Sequence, residues 1–191
     1  MVKLTGKKLL LILLYSPTES GSVNVPIAGR TRLMKMGFLF EEELLQNFRR
    51  DRTIEIIESD LPKYFSWHYG PFSRDFLNDL EFLVNQAYID RSFGRNAPTP
   101  EEIEEYNYWV EDMDDFEARE YQEEIFTLNA QRGLPKAKVI WDLLSDTQKS
   151  IIKDFKTILN KATLDRILEY VYKKYKDGYT DKSLIRDKYL S

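Results

Sequence analysis

The chain has 191 residues, of which 42% are hydrophobic and 31% charged, and it contains no cysteine. This length and composition predict one folded domain, or one domain with a helical appendage. The lack of cysteine excludes disulfides and thiolate metal sites, and it fits the reducing cytoplasm that we expect for this protein.

Charge is unevenly distributed along the chain, although the formal net charge is only −4. Residues 1–96 carry 13 basic and 12 acidic side chains, residues 97–131 carry 1 and 12, and residues 132–191 carry 14 and 8. The middle segment is therefore strongly acidic and the last segment is basic. An acidic block of this kind is either a solvated arm or a docking element.

Two helices are predicted in the first part of the chain. The first runs from Thr5 to Tyr15; its apolar run is too short to span a bilayer, so we expect a buried helix rather than a signal peptide or membrane segment. The second runs from Arg30 to Leu45. Its inward face is formed by Leu33, Met36, Gly37, Leu39, Phe40 and Leu44, and the cations Arg30, Arg32 and Lys35 lie outside that face.

The next stretch predicts a strand, a helix and a strand. Aromatic and polar residues alternate from Tyr64 to Tyr69, which favours a half-buried strand that Gly70-Pro71 ends in a turn. Ser73 is the expected cap of a helix over 74–86, and Tyr88 to Phe93 predict an outgoing strand. With helices upstream, this layout is typical of a winged helix-turn-helix.

An acidic insertion, at about 97–124, follows the outgoing strand. Thr99 and Glu102 form a predicted capping box at its start. Helical spacing then gives it an apolar stripe, which consists of Ile103, Tyr106, Trp109 and Val110. Glu124 to Leu128 predict the returning strand of the wing, so the insertion lies at the wing tip.

The C-terminal part predicts helices over 135–144, 145–159 and 163–176, and a short final helix after Thr180. Ser145 and Gln148 form a second capping box, and Gly178 is the expected helix stop. We therefore predict a mainly α fold with a small β hairpin, of the α+β class. Its parts are a winged-helix domain at 1–131 and a C-terminal helical region at 132–191.

Two patches resemble a known family. Residues 30–40 resemble the Leu-x-Lys-Leu-x-Phe helix of the Panacea antitoxin-like domain, and Ser66-Trp-His-Tyr-Gly-Pro-Phe72 resembles its Ala-Trp-x-x-Gly-Pro-Val motif. The N-terminal half also resembles winged-helix DNA-binding domains, and residues 170–183 are similar to a C-terminal signature of prokaryotic winged-helix proteins. The Panacea resemblance implies an antitoxin or adaptor role, the winged-helix resemblance implies regulated DNA binding, and neither implies an enzyme.

No catalytic, metal or cofactor site is expected from the motifs. His68 is the only histidine, and its aromatic neighbours favour a packed scaffold residue over a catalyst. The carboxylates Glu55, Glu58 and Asp60 leave a magnesium or nuclease site open as a minor alternative. No glycine-rich phosphate loop is present.

Duplex DNA is the first expected partner. The predicted contacts are Arg30, Arg32, Lys35, Arg74, Asn78, Arg91 and Arg95. The exposed face of the helix at 74–86 opposes this function, because it carries one positive charge and three negative charges, and phosphate neutralisation dominates DNA affinity.

We therefore expect a non-enzymatic, transcription-regulator-like DNA-binding protein that forms a homodimer. The alternative is a protein-interaction module of the antitoxin or adaptor type that uses the acidic insertion to bind a basic protein. In that insertion the partner-binding residues are the apolar stripe named above. The stripe either docks on the C-terminal helices of a neighbouring subunit or belongs to a mobile arm, and the sequence leaves both open.

Overall fold

A computed structural model describes residues 2–94, 97, 99–100, 102–103, 106–107 and 122–190. The strands are β1 (Val2–Leu4), β2 (Ile27–Ala28), β3 (Ile54–Ile56), β4 (Phe65–Trp67), β5 (Gly70–Phe72), β6 (Ile89–Phe93) and β7 (Glu124–Leu128). The helices are α1 (Gly6–Tyr15), α2 (Arg30–Leu39), α3 (Leu45–Phe48), α4 (Arg74–Asn85), α5 (Gly133–Asp142), α6 (Asp146–Lys161), α7 (Leu164–Lys174) and α8 (Arg186–Leu190). A π-helical turn (Phe40–Leu44) joins α2 to α3. The predicted mainly α class with small sheets is confirmed.

A three-stranded antiparallel sheet has the order β2-β7-β6. Ile89 lies opposite Leu128 and Phe93 opposite Glu124, so the predicted hairpin of β6 and β7 is confirmed. The third strand, β2, was not predicted, because two residues give no alternation to detect. The backbone N–H of Gly94 donates to the carbonyl oxygen of Glu123 at 2.7 Å, so the chain returns beside the point where it left β6.

Two smaller strand pairs complete the β structure of the described residues. β1 and β3 run parallel, with Val2 opposite Ile54. β4 and β5 form a hairpin in which Trp67 pairs with Gly70. The prediction that Gly70-Pro71 forms the turn is wrong: the turn is His68-Tyr69, and Gly70 begins the second strand.

Four helices begin with a side-chain cap, as predicted for Ser73 and Ser145. The side chains of Thr5, Ser73, Ser145 and Thr163 each accept a backbone hydrogen bond in the first turn of α1, α4, α6 and α7. Ser145 and Gln148 also form the complete capping box. Caps of this kind satisfy N–H groups that have no partner within the helix, so local sequence is enough to locate these four helix starts.

The two predicted parts of the chain share one hydrophobic core. It contains Leu10 of α1 and Leu33 of α2, together with Ala137, Ile152 and Val171 of the C-terminal helices. A buried polar link joins the same parts. Lys156 is fully buried, and its Nζ donates to the carbonyl oxygens of Leu14 at 2.7 Å and Ser16 at 3.0 Å.

No helix among the described residues is long and apolar enough to span a lipid bilayer.

Candidate functional site

Two arginines and two glutamates form a charge cluster between α2, α4, β6 and β7. Arg30 donates from Nε to Glu124 at 2.6 Å and from Nη2 to Glu81 at 2.7 Å. Arg91 donates from Nη1 to Glu81 at 3.0 Å and to Glu124 at 3.1 Å. The four side chains together are electrically neutral, and Arg30 is only 3% exposed.

Burial acts to lower the pKa of Arg30, but the hydrogen bonds and charges of Glu124 and Glu81 together outweigh it and raise that pKa. The guanidinium is therefore fixed in its charged form, in bidentate contact with Glu124. The expectation that Arg30 faces solvent is wrong, because its side chain is buried against Glu81 and Glu124. These partners follow far along the chain, so the local helical pattern does not reveal them.

The other two cations of α2 also point inward or along the protein surface. Lys35 is fully buried, and its Nζ donates to the carbonyl oxygen of Pro71 at 2.9 Å. Arg32 is half-buried and donates to three backbone carbonyls, those of Ala28, Leu159 and Ala162. The expectation that these two cations lie on an exposed face is therefore also wrong, since packing surrounds α2 on nearly every side.

Helix α4 keeps most of its predicted exposed face, but the expectation that Glu81 belongs to that face is wrong, because its side chain is 13% exposed and paired with Arg30 and Arg91. Arg74, Asp75 and Asn78 are exposed, and Asp79 is ion-paired with Lys7 of α1. Phe82 is 48% exposed on the same helix, and Lys7 Nζ lies 4.9 Å from its ring centre. This face is therefore mixed: one exposed arginine, carboxylates, amides and an aromatic ring.

Strand β6 adds a second exposed aromatic side chain. Phe93 is 59% exposed at the end of the strand, and Arg91, a member of the charge cluster, is partly exposed. Arg95, a predicted DNA contact, lies outside the described residues.

The start of the acidic insertion packs against its own chain. The predicted capping box is present: Thr99 Oγ1 accepts from the N–H of Glu102 at 3.2 Å, and Glu102 Oε2 accepts from the N–H of Thr99 at 3.0 Å. Tyr106 is 7% exposed, and its ring centre lies 5.8 Å from the Arg30 guanidinium carbon. Ile103 is 37% exposed. Trp109 and Val110 lie outside the described residues.

The sequence patches at 30–40, 66–72 and 170–183 meet in one place. Lys35 reaches Pro71, and a Cβ atom at Gly70 would lie 3.2 Å from the Tyr172 ring. The hydroxyl groups of Tyr172 and Ser183 are 2.5 Å apart, and Ser183 donates in turn to the carbonyl oxygen of His68 at 3.0 Å. Residues of α2, of the β4–β5 hairpin and of the C-terminal signature therefore hold one another in position.

His68 belongs to this scaffold. Its ring stacks on Trp67, with centroids 4.7 Å apart and planes inclined by 17°. Its carbonyl oxygen also accepts from the N–H of Leu184 at 2.9 Å. Among the described residues, no group of three or more histidine or carboxylate side chains is arranged to hold a metal ion.

Comparison of this chain with known protein families, with curated proteins and with solved structures finds no match.

Proposed function

We propose that this chain is a non-enzymatic protein-interaction module of the antitoxin or adaptor type, built on a winged helix-turn-helix scaffold. The observation that carries the proposal is the neutral cluster of Arg30, Arg91, Glu81 and Glu124. Tight DNA binding requires cations that neutralise phosphates. In this chain two of the expected cations already neutralise carboxylates.

The order of elements supports the scaffold. Helix α1, strand β2, helices α2 and α4, and the hairpin of β6 and β7 follow one another in the order of a winged helix. The sheet order β2-β7-β6 agrees with it. In such a scaffold α4 corresponds to the helix that enters the major groove in DNA-binding members, and the acidic insertion corresponds to the wing.

The surface around α4 favours a protein partner. Its exposed aromatic side chains are Phe82 and Phe93, and aromatic side chains are enriched among the residues that contribute most to protein interfaces. Exposed Asp75 on α4 and the twelve acidic residues between positions 97 and 131 would repel DNA phosphates. The same charges are complementary to a basic protein surface and would orient it during association.

DNA binding by the winged-helix scaffold is the second candidate. It is favoured by the same order of elements and by Arg74 and Asn78, which are exposed on α4. Asparagine can pair with an adenine edge in the major groove, and arginine with a guanine edge.

A DNA titration separates the two candidates. Fluorescence anisotropy with labelled random duplexes at about 50 mM salt, where phosphate contacts are strong, is expected to show no saturable binding. Saturable binding that weakens on Arg74→Glu would overturn the interaction-module proposal and support the DNA-binding candidate. Lys136→Glu, an exposed change on α5, is the matched control for charge reversal.

The protein partner is tested at Phe82. A photoreactive phenylalanine analogue at position 82 is expected to form one discrete adduct in cells, and the same analogue at Val139, which is 62% exposed on α5, is expected to form none. The captured protein is then purified and titrated against the chain. We expect salt-sensitive binding that Phe82→Ser weakens at least tenfold, equivalent to about 1.4 kcal/mol. Equal affinity of the variant and wild type would refute the proposal that the α4 surface binds the partner.

A further inference from the structure

An apolar crevice of about 590 Å³ lies between α6 and α7. Its lining includes buried side chains of α2, α6 and α7, namely Leu39, Leu159 and Ile167. Two other lining residues face solvent: Ile158 of α6 is 65% exposed, and Tyr170 of α7 is 43% exposed. The crevice therefore combines an apolar hollow and a projecting aliphatic side chain on one surface.

Helix α6 carries apolar residues on two neighbouring faces. Ile152 and Leu159 are buried in the core. Ile151, Phe155 and Ile158 follow one another at helical spacing on the next face, line the crevice, and are not fully buried. An apolar arc wider than the stripe that faces the core indicates a helix that packs on a second side as well. The core covers the first side of α6, and the second is left for another molecule.

Two charged side chains of opposite sign line the crevice, and neither forms an ion pair within the described part of the chain. Asp154 of α6 and Arg166 of α7 are both exposed, and Asp154 accepts a long hydrogen bond of 3.5 Å from Ser150. The remaining charged lining residue, Glu43, pairs with Lys174 at 3.0 Å. The crevice is therefore neutral, with an anion on one helix and a cation on the other.

This charge pattern distinguishes the possible occupants. The acidic insertion has twelve acidic side chains and one basic side chain between positions 97 and 131, so a neutral crevice does not attract it, and a strongly basic protein gains no attraction either. A second copy of the chain is complementary to the crevice. In a two-fold interface each contact is made twice, so the Asp154 of each copy would meet the Arg166 of the other.

We infer that two copies of this chain associate through the crevice between α6 and α7. Ile158 of each copy enters the apolar crevice of the other, and Asp154 pairs with Arg166 across the two-fold axis. No residue of α4 lines the crevice. The homodimer therefore forms on a different surface from the one that the proposed function assigns to a protein partner.

Sedimentation equilibrium of the full chain tests the dimer. Between about 1 μM and about 1 mM, a range that covers weak and moderate affinities, a monomer–dimer equilibrium is expected. Ile158→Asp should shift it to the monomer, because a carboxylate in an apolar crevice loses its hydration without gaining a partner. The matched control is Val139→Asp, at a position 62% exposed on α5, which should leave the dimer intact.

Charge reversal tests the pairing across the axis. Asp154→Arg and Arg166→Asp should each weaken their own homodimer at least about tenfold, because like charges then face each other in both symmetry-related contacts. When the two variants are mixed in equal amounts, they should form a heterodimer, because the two cations of one copy then face the two anions of the other.

A monomer at every concentration would overturn the inference, and so would a dimer that survives Ile158→Asp. Equal loss of the dimer in Val139→Asp, or absence of the heterodimer from the mixed charge variants, would overturn it as well. A dimer that Trp109→Ser dissociates and Ile158→Asp does not would assign the interface to the acidic insertion instead. The circular dichroism spectrum and thermal melt of each variant are recorded first, so that loss of fold is recognised independently.

Discussion

Lys35 Nζ donates a hydrogen bond of 2.9 Å to the carbonyl oxygen of Pro71. The two residues lie 36 positions apart, one in the patch at 30–40 and one in the patch at 66–72. The bond fixes the second strand of the β4–β5 hairpin against α2. Lys35 and Pro71 therefore act in packing, and they lie apart from the exposed face of α4.

Lys35→Ala is expected to destabilise the fold by at least about 2 kcal/mol, because it leaves the Pro71 carbonyl without this donor and opens a cavity. Lys35→Met fills most of the space and should cost less than the alanine change. The measurement is the free energy of unfolding from denaturant titration. Lys136→Ala, at an exposed position, should change it little; a similar small effect at Lys35 would contradict the packing role.

Phe72 and Trp67 are expected to differ in their contribution to stability. Phe72 is 2% exposed, so Phe72→Ala should cost about 3–5 kcal/mol. Trp67 is half-buried, packs against the edge of the core and stacks on His68, so Trp67→Ala should cost clearly less. Denaturant titrations of the two variants test this order, and a larger loss for Trp67 would contradict the burial of the two rings.

Lys156 predicts a specific pH dependence of stability. Burial lowers its pKa in the folded protein to about 7, from an ordinary value of 10.5. Between these values the unfolded chain binds more protons, so stability rises with pH, by at most about 1.4 kcal/mol per pH unit.

The measurement compares wild type with Lys156→Met from pH 7 to pH 10. The free energy of unfolding of wild type should increase relative to that of the variant as the pH rises. A constant difference between the two proteins would show that Lys156 keeps an ordinary pKa in the fold. The variant also removes both hydrogen bonds to the carbonyls of Leu14 and Ser16. This loss adds a constant difference in the free energy of unfolding, because methionine does not titrate.

Glu41, in the π-helical turn, predicts the opposite pH dependence. Burial, aided by the charge of Glu42, raises its pKa to about 8 from 4.5. A raised carboxyl pKa contributes stability below pH 4.5 that is lost as the pH rises to about 8. The free energy of unfolding of Glu41→Gln should therefore rise relative to that of wild type between these limits, as measured by denaturant titration at pH 5 and pH 8.5. Parallel behaviour of the two proteins would contradict the buried carboxyl.

Alanine substitutions at Gly133 and Gly178 are expected to differ in their effect on stability. A Cβ atom at Gly133 would lie 1.8 Å from the carbonyl oxygen of Tyr88, which is backbone and cannot give way. Gly178 has a φ of +98° but no neighbour within 4 Å of such an atom. Gly178→Ala should cost about 1 kcal/mol through its backbone conformation, and Gly133→Ala should cost several times more. Equal melting temperatures would refute the contact with Tyr88.

Local sequence was sufficient for the helix caps and for the β6–β7 hairpin, because their signals lie within a few residues. Ser73 and Ser145 are examples: each accepts a hydrogen bond from a residue three positions along the chain. The parallel pair of β1 and β3 could not be predicted in the same way. Its strands have three residues each and lie about 50 positions apart, so no local periodicity connects them.

The candidate site was predicted less completely than the fold. Arg74 and Asn78 are exposed as expected, but Arg30 and Lys35 are buried. A helical pattern assigns charged residues to the outside, and it contains no information about partners such as Glu124, 94 positions away. Gly37 was the one indication in the sequence that α2 is closely packed. A Cβ atom at this position would lie 2.4 Å from the Tyr64 hydroxyl, and close packing on that face leaves α2 little contact with solvent.

The hydrogen bond between Gly94 and Glu123 closes the acidic insertion at its base. The chain between these residues leaves and returns at the same end of the β6–β7 hairpin. The entropy cost of closing a flexible loop grows only with the logarithm of its length, by about 0.6 kcal/mol per doubling. Changes in the length of this segment are therefore expected to leave the β6–β7 register unchanged, provided that its packed start, with Glu102 and Tyr106, is kept.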